Sequence, residues 1–112
     1  MKIKKVERIY SEKDCGGEGY AIIEKFLQQE SFNKKIKLFA KVKLQSNDSI
    51  GYHKHTVDQE YYYILKGNGI YNDNGNIFEV KSGDLLFCEE NRSHSIKNEN
   101  NEDLEFLAII VY

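Results

Sequence analysis

The sequence predicts an all-β fold, a sandwich or closed barrel, and three observations carry that expectation. Residues 34–44 alternate strictly, with Ile36, Leu38, Ala40, Val42 and Leu44 on one face and Lys35, Lys37, Lys41 and Lys43 on the other, Phe39 excepted. Seven further short apolar runs follow at close spacing, separated by Gly, Asn and Asp, as strands joined by tight turns require. At 112 residues, 40% apolar and 12% aromatic, the chain can bury one core but not two, which predicts a single domain.

Taken in order, residues 1–33 read as an N-terminal arm and 34–112 as the barrel core. The start, Met1-Lys2-Ile3-Lys4-Lys5, lacks the apolar stretch of a signal peptide, and no run approaches the ~18 apolar residues of a membrane span. A cytoplasmic protein with no membrane partner is therefore expected. Cys15 precedes Gly16-Gly17 in a loop and reads as an idle thiol. Residues 19–29 are ambiguous, since Ile22, Ile23, Phe26 and Leu27 fit a helical period while Tyr20, Ile22 and Phe26 fit alternation.

After the strand at 34–44, strands are expected at 51–55, 60–66, 69–72, 77–80, 84–88, 94–97 and 104–112. The turns Gly67-Asn68-Gly69 and Asp73-Asn74-Gly75-Asn76 supply residues that tolerate positive φ, so hairpins are expected there. Cys88, in the run Leu85-Leu86-Phe87-Cys88, reads as a small hydrophobe; with no CxxC spacing, neither a zinc ribbon nor a redox dithiol is indicated. The runs at 61–65 and 104–112 are apolar on both faces apart from Glu105, so both faces need cover. In so small a chain a second subunit supplies one cover, and a homodimer is expected.

Charge argues against a nucleic-acid partner. The net charge is -2 and only two of the sixteen basic residues are Arg, without the basic excess such binders show. No segment is left over for a DNA-binding helix-turn-helix.

The strongest chemical signal is the histidine distribution. All three histidines fall between positions 53 and 94, two of them as His53-Lys54-His55, with Glu60 shortly after. Residues i and i+2 of a strand share a face, so His53 and His55 point the same way. The turn 56–59 can return the chain antiparallel and bring Glu60 beside them, while His94 arrives from a second hairpin. Three imidazoles and a carboxylate suit one divalent metal ion (Mn, Fe, Zn, Ni or Co) with positions left for a ligand. One carboxylate leaves such a site cationic, which favours a small anionic ligand.

These spacings resemble the two signatures of the cupin superfamily. His53, His55, Glu60 and Gly67 satisfy every interval of the first, although Gly51 lies closer to the first His than the usual Gly. Gly83, His94 and Asn98 satisfy the second, with Glu89 where Pro is usual and Asn91 where Gly is usual. Asn adopts the left-handed conformation readily, so the turn survives. The resemblance implies a double-stranded β-helix (jelly-roll) barrel in which His53, His55, Glu60 and His94 bind the metal.

Alternation places Tyr62 and Ile64 on the side of Glu60, making Tyr62 either a proton or hydrogen-bond donor to substrate or an aromatic wall of the core. Arg92 either clamps a carboxylate at the barrel mouth or faces water. The superfamily hosts many reactions, so the resemblance leaves three readings. The first is a metal-dependent enzyme acting on a small carboxylate or oxygenated metabolite, of decarboxylase or dioxygenase type. The others are a sugar-isomerase-like enzyme and a non-catalytic metabolite- or metal-binding module.

Overall fold

The computed structural model of the protein describes residues 2–3, 6–26 and 34–112. Its strands, in chain order, are β1 (Glu7–Glu12), β2 (Tyr20–Lys25), β3 (Ile36–Leu44), β4 (Ser49–Lys54), β5 (Gln59–Lys66), β6 (Asn68–Asp73), β7 (Asn76–Lys81), β8 (Leu85–Cys88), β9 (Ser93–Lys97) and β10 (Leu104–Val111). They form a six-stranded sheet, β1-β2-β3-β10-β5-β8, and a four-stranded sheet, β4-β9-β6-β7. Every strand expected over 34–112 is present, with ends shifted by at most two residues. Among the described residues no helix is long and apolar enough to cross a membrane.

The N-terminal segment is not an appendage to the barrel, because β1 and β2 extend the larger sheet beyond β3. The ambiguity over 19–29 resolves as strand for Tyr20–Lys25, where Ala21 is buried and pairs with Leu44. Residues 27–29 of that reading lie outside the described residues.

One core cluster draws on both sheets. Val42, Leu44, Tyr62, Ile64 and Phe106 come from the larger sheet and Ile50, Tyr71, Val80 and Ile96 from the smaller. Period-2 alternation explains which residues enter it: on β5 Glu60, Tyr62 and Ile64 are buried while Tyr61, Tyr63 and Leu65 stay 38–42% exposed.

Local chemistry sets the turns. Asn74 (φ 50°) and Gly75 (φ 100°) make a two-residue hairpin between β6 and β7, the left-handed pair such a hairpin needs. Asn91 takes φ 70° where the cupin pattern has Gly, and its N–H donates to the His55 carbonyl at 2.6 Å. Gly51 answers a different demand: the carbonyl of Cys15 packs where its side chain would stand. The turn Asp14–Gly16 thereby seats against β4 beside His53.

Asn98 ties the loops at one end of the barrel. Fully buried, its amide donates to the carbonyls of Leu44 (2.9 Å) and Glu102 (2.8 Å), and its Oδ1 accepts the Asn100 N–H (2.9 Å). Asn98→Ala strands these buried partners, and we expect a loss of about 3 kcal/mol in urea unfolding. A loss under about 0.5 kcal/mol would show that water replaces the amide.

Candidate metal centre

β4 and β9 pair antiparallel with His53 directly opposite His94. Two steps on β9, from Ile96 to His94, face three on β4, from Ile50 to His53, so β4 carries one extra residue. That bulge turns both Ile50 and His53 inward despite their odd spacing. His55 follows just past β4, its N–H held by the Arg92 carbonyl at 3.0 Å. Glu60, second residue of β5, enters from the larger sheet opposite Ile110.

The four side chains converge. Glu60 Oε1 lies 3.0 Å from His94 Nε2, 3.1 Å from His55 Nε2 and 3.9 Å from His53 Nε2. The His94 Nε2 is 3.1 Å from those of both His53 and His55, and all four donor atoms lie within 4.8 Å of one another. Ligands ~2.1 Å from a divalent ion stand ~3.0 to 3.4 Å apart at right-angle or tetrahedral positions, so the spacing fits one ion.

The tautomers fit as well. His53 Nδ1 lies 2.7 Å from the Gly51 carbonyl and His55 Nδ1 lies 2.6 Å from Asp58 Oδ1, acceptors that take the Nδ1–H. His94 Nδ1 meets the Tyr71 hydroxyl at 2.8 Å; when Nδ1–H donates to that oxygen, Nε2 keeps its lone pair. Each imidazole is thus held at its far nitrogen, as metal-binding histidines are. Tyr71→Phe removes one of these partners while keeping the ring. Metal affinity should fall about 10- to 100-fold in competition with a chromophoric chelator, and unchanged affinity would discount the contact.

Charge shifts follow from the crowding. Burial alone would raise the Glu60 carboxyl, but the three imidazoles outweigh it and hold it well below the usual carboxylate range. His55 is raised by its bond to Glu60 against the cost of burial, with Asp58 adding to the shift. His53 is pushed up to about 10: burial opposes, and contacts with Cys15, Glu60 and the Gly51 carbonyl prevail. His94 goes down, because burial outweighs Glu60 there. The Cys88 thiol, pushed up to about 11 chiefly by burial, stays protonated and packs as the expected small hydrophobe.

A cavity of about 460 Å³ opens onto His53, His55 and Glu60, while His94 closes the cluster from behind. Tyr62 lines it, its ring stacked on His94 at 4.9 Å, and burial keeps its hydroxyl protonated. Arg92 does not line it: its side chain is exposed, and its backbone carbonyl holds His55. Among the described residues, the lysines that line the cavity are Lys25, Lys37 and Lys54. The turn that seats His55 turns the arginine outward, so its side chain faces water rather than the cavity. Cys15, expected to be idle, lies at the cavity wall.

Asp58, Tyr71 and Lys37 were not legible as site residues. Asp58 stands three residues after His55 across a polar turn, a spacing that permits the contact without announcing it. Tyr71 reaches His94 only because β6 pairs with β9. Lys37 alternates as a solvent residue, yet Val111 opposes Ile36 and Ile110 opposes Leu38, leaving Lys37 as the extra residue of a bulge. Its Nζ turns to Asp58 Oδ2 at 2.8 Å.

The cupin domain pattern matches residues 40–110. The chain is a cupin. It is 45% identical over 96 residues to an oxalate-binding protein of Thermotoga maritima, covering 86% of this chain and 79% of that one. A crystal structure from the same organism, described as a predicted oxalate decarboxylase, superposes on this cupin with TM-score 0.89 and 41% identity over 99% and 98% of the two chains. A cupin-2 domain from Rhodospirillum rubrum superposes at TM-score 0.79 with only 14% identity, over 95% of this chain and 69% of that one, a likeness of fold alone.

Proposed function

We propose that this cupin binds one divalent metal ion (Mn, Fe, Co, Ni or Zn) through His53, His55, Glu60 and His94 and uses it to hold a small carboxylate, oxalate foremost. The observation that supports this reading above all is the convergence of three Nε2 atoms and a carboxylate, with each imidazole fixed at Nδ1. The Thermotoga relative, named for oxalate binding, supports the ligand class. A bound ion would supply a Lewis acid that anchors and polarises a carboxylate oxygen. The chain's residues do the rest: Asp58 and Tyr71 orient the ligand histidines, the apolar wall excludes water, and the Tyr62 hydroxyl donates a hydrogen bond to the bound anion. The reaction we assign is of decarboxylase or dioxygenase type.

The test is calorimetric titration of oxalate into metal-free and Mn²⁺-loaded protein, with mass spectrometry for formate and carbon dioxide. Saturable binding to the loaded form only is expected. Absence of binding in both forms would overturn the reading, and binding without any product would make this cupin a non-catalytic binding module. A specific observation favours that second reading: the acidic groups nearest the cluster, Glu60 and Asp58, are engaged by the histidines and Lys37.

We also propose that the cupin is a cytoplasmic homodimer. Tyr61, Tyr63 and Leu65 of β5 and Leu85 and Phe87 of β8 form one exposed apolar face, 38–64% accessible, with Tyr61 and Phe87 stacked at 4.6 Å. A second copy offers the same apolar surface and covers it without a foreign partner. Light scattering should give about twice the 13.1 kDa chain mass, and Phe87→Glu should halve it. A wild-type protein monomeric at micromolar concentration would refute the dimer.

A further inference from the structure

The cluster holds more negative charge than its four candidate ligands supply. Asp58 is only 6% exposed and its Oδ1 lies 2.6 Å from His55 Nδ1, so a second buried carboxylate stands at hydrogen-bond distance from a ligand histidine. Glu60 and three neutral imidazoles leave a divalent ion a net charge of about +1, the charge that favours an anion. Asp58 alone would cancel it.

Lys37 prevents that cancellation. Its Nζ donates to Asp58 Oδ2 at 2.8 Å while Oδ1 accepts the His55 Nδ1–H, so each oxygen of the carboxylate has its own donor. The bulge in β3 brings the lysine there, since Val111 opposes Ile36 and Ile110 opposes Leu38, which leaves Lys37 without a partner on β10. Lys41 and Lys43, in regular register further along the strand, pair instead with Glu105 and Asp103. The Tyr112 ring flanks the Lys37 ammonium, its centroid 5.7 Å away. The ammonium stays charged, because the bond to Asp58 raises it above the ordinary lysine value.

Resting on the carboxylate-binding reading above, we propose that Lys37 is a specificity-determining residue that sets the charge of the ligand this site selects: by neutralising Asp58 it keeps the metal end of the cavity cationic. Lys37 acts through Asp58 and His55 and needs no contact with the ligand. Without it, the loaded centre and Asp58 sum to about zero, and the advantage of an anion over a neutral ligand shrinks, most of all for a dianion. Lys25, Lys54 and Asp14 also line the cavity, and a substitution at position 37 leaves their charges in place.

The experiment titrates Co²⁺-loaded protein, followed by visible absorption, with oxalate (a dianion), azide (a monoanion) and imidazole, at about pH 8 where imidazole is neutral. Lys37→Met keeps most of the side-chain length and removes the charge. It should weaken azide about fivefold and oxalate about 25-fold, because the loss of one partly screened charge scales with ligand charge, and leave imidazole within about twofold. Lys37→Arg should stay near wild type for all three ligands. Lys37→Met/Asp58→Asn removes both charges of the pair and should regain most of the oxalate and azide affinity, which a mere brace for His55 would not do. Cobalt content and circular dichroism on every sample check loading and fold, and if the double variant fails to fold, Lys37→Met against Lys37→Arg decides alone. Equal weakening of all three ligands in Lys37→Met overturns the proposal, as do unchanged affinities or a folded double variant weaker than the single one. In each of these cases oxalate binding by the wild type stands. Failure of oxalate and azide to bind the loaded wild type overturns both this proposal and the function on which it rests.

Discussion

His53→Ala/His55→Ala should reduce bound metal from about one ion per chain to none, the largest effect available from two substitutions. Both imidazoles reach the cluster through Nε2, and their loss leaves Glu60 and His94, too few donors to hold a divalent ion against water. The fold should survive, because the core cluster of Leu44, Tyr62, Ile64, Ile96 and Phe106 includes neither histidine. Glu60 loses two of the three imidazoles that hold its carboxyl down, so buried Glu60 takes up a proton more readily in the variant. Elemental analysis of protein purified without nickel resin reads the metal, and circular dichroism reads the fold. Stoichiometric metal in the double variant would sink the four-ligand site, and an unfolded variant would mark the cluster as structural.

Raising the pH from 6 to 9 should move the metal-free and metal-loaded proteins in opposite directions. His53 and His55 have raised pKa values in the folded chain, His53 up to about 10 from an ordinary 6.5. Their protonated forms stabilise the metal-free fold fully below 6.5, and that stability is lost as pH rises through the folded values. Glu60, depressed from an ordinary 4.5, contributes above that value and loses its contribution only in stronger acid. His94, lowered by burial, opposes the other two below 6.5, where the unfolded chain takes up the proton that the folded chain refuses.

Metal binding reverses the sign. The ion needs neutral imidazoles, so it must displace the protons that His53 and His55 hold, and affinity grows as pH rises. At a free metal concentration 100-fold over Kd, binding adds about 2.7 kcal/mol, which for a domain of this size is on the order of 10 °C in Tm. The gap between loaded and metal-free Tm should therefore widen from pH 6 to pH 9 in scanning calorimetry with Mn²⁺ or with chelator. A gap that narrows would mean that protons do not compete with the ion at these histidines.

What could be read from the chain alone is what depends on near neighbours. Alternation over 36–44 and 59–66 locates strands and their buried faces, because side chains on a strand change sides at every residue. His53-Lys54-His55 and Glu60 announce a ligand set for the same reason, and Asn91 could stand for Gly because its short amide side chain tolerates the left-handed turn it adopts at φ 70°. The limits are equally physical. Residues 7–12 and 20–25 carry no strong alternation, and only the pairing of β1 with β2 and of β2 with β3 makes them sheet. Arg92, two positions before His94, could be read as a clamp or as a solvent residue, and only the turn that carries it sets its side chain outward. Tyr71 meets His94, and Lys37, still solvent-accessible, meets Asp58 at the cavity edge, through cross-strand register and a one-residue bulge. Register joins residues far apart in the chain and shifts every side chain beyond a bulge, so tertiary pairing alone decides which distant groups complete a site whose central ligands are written locally.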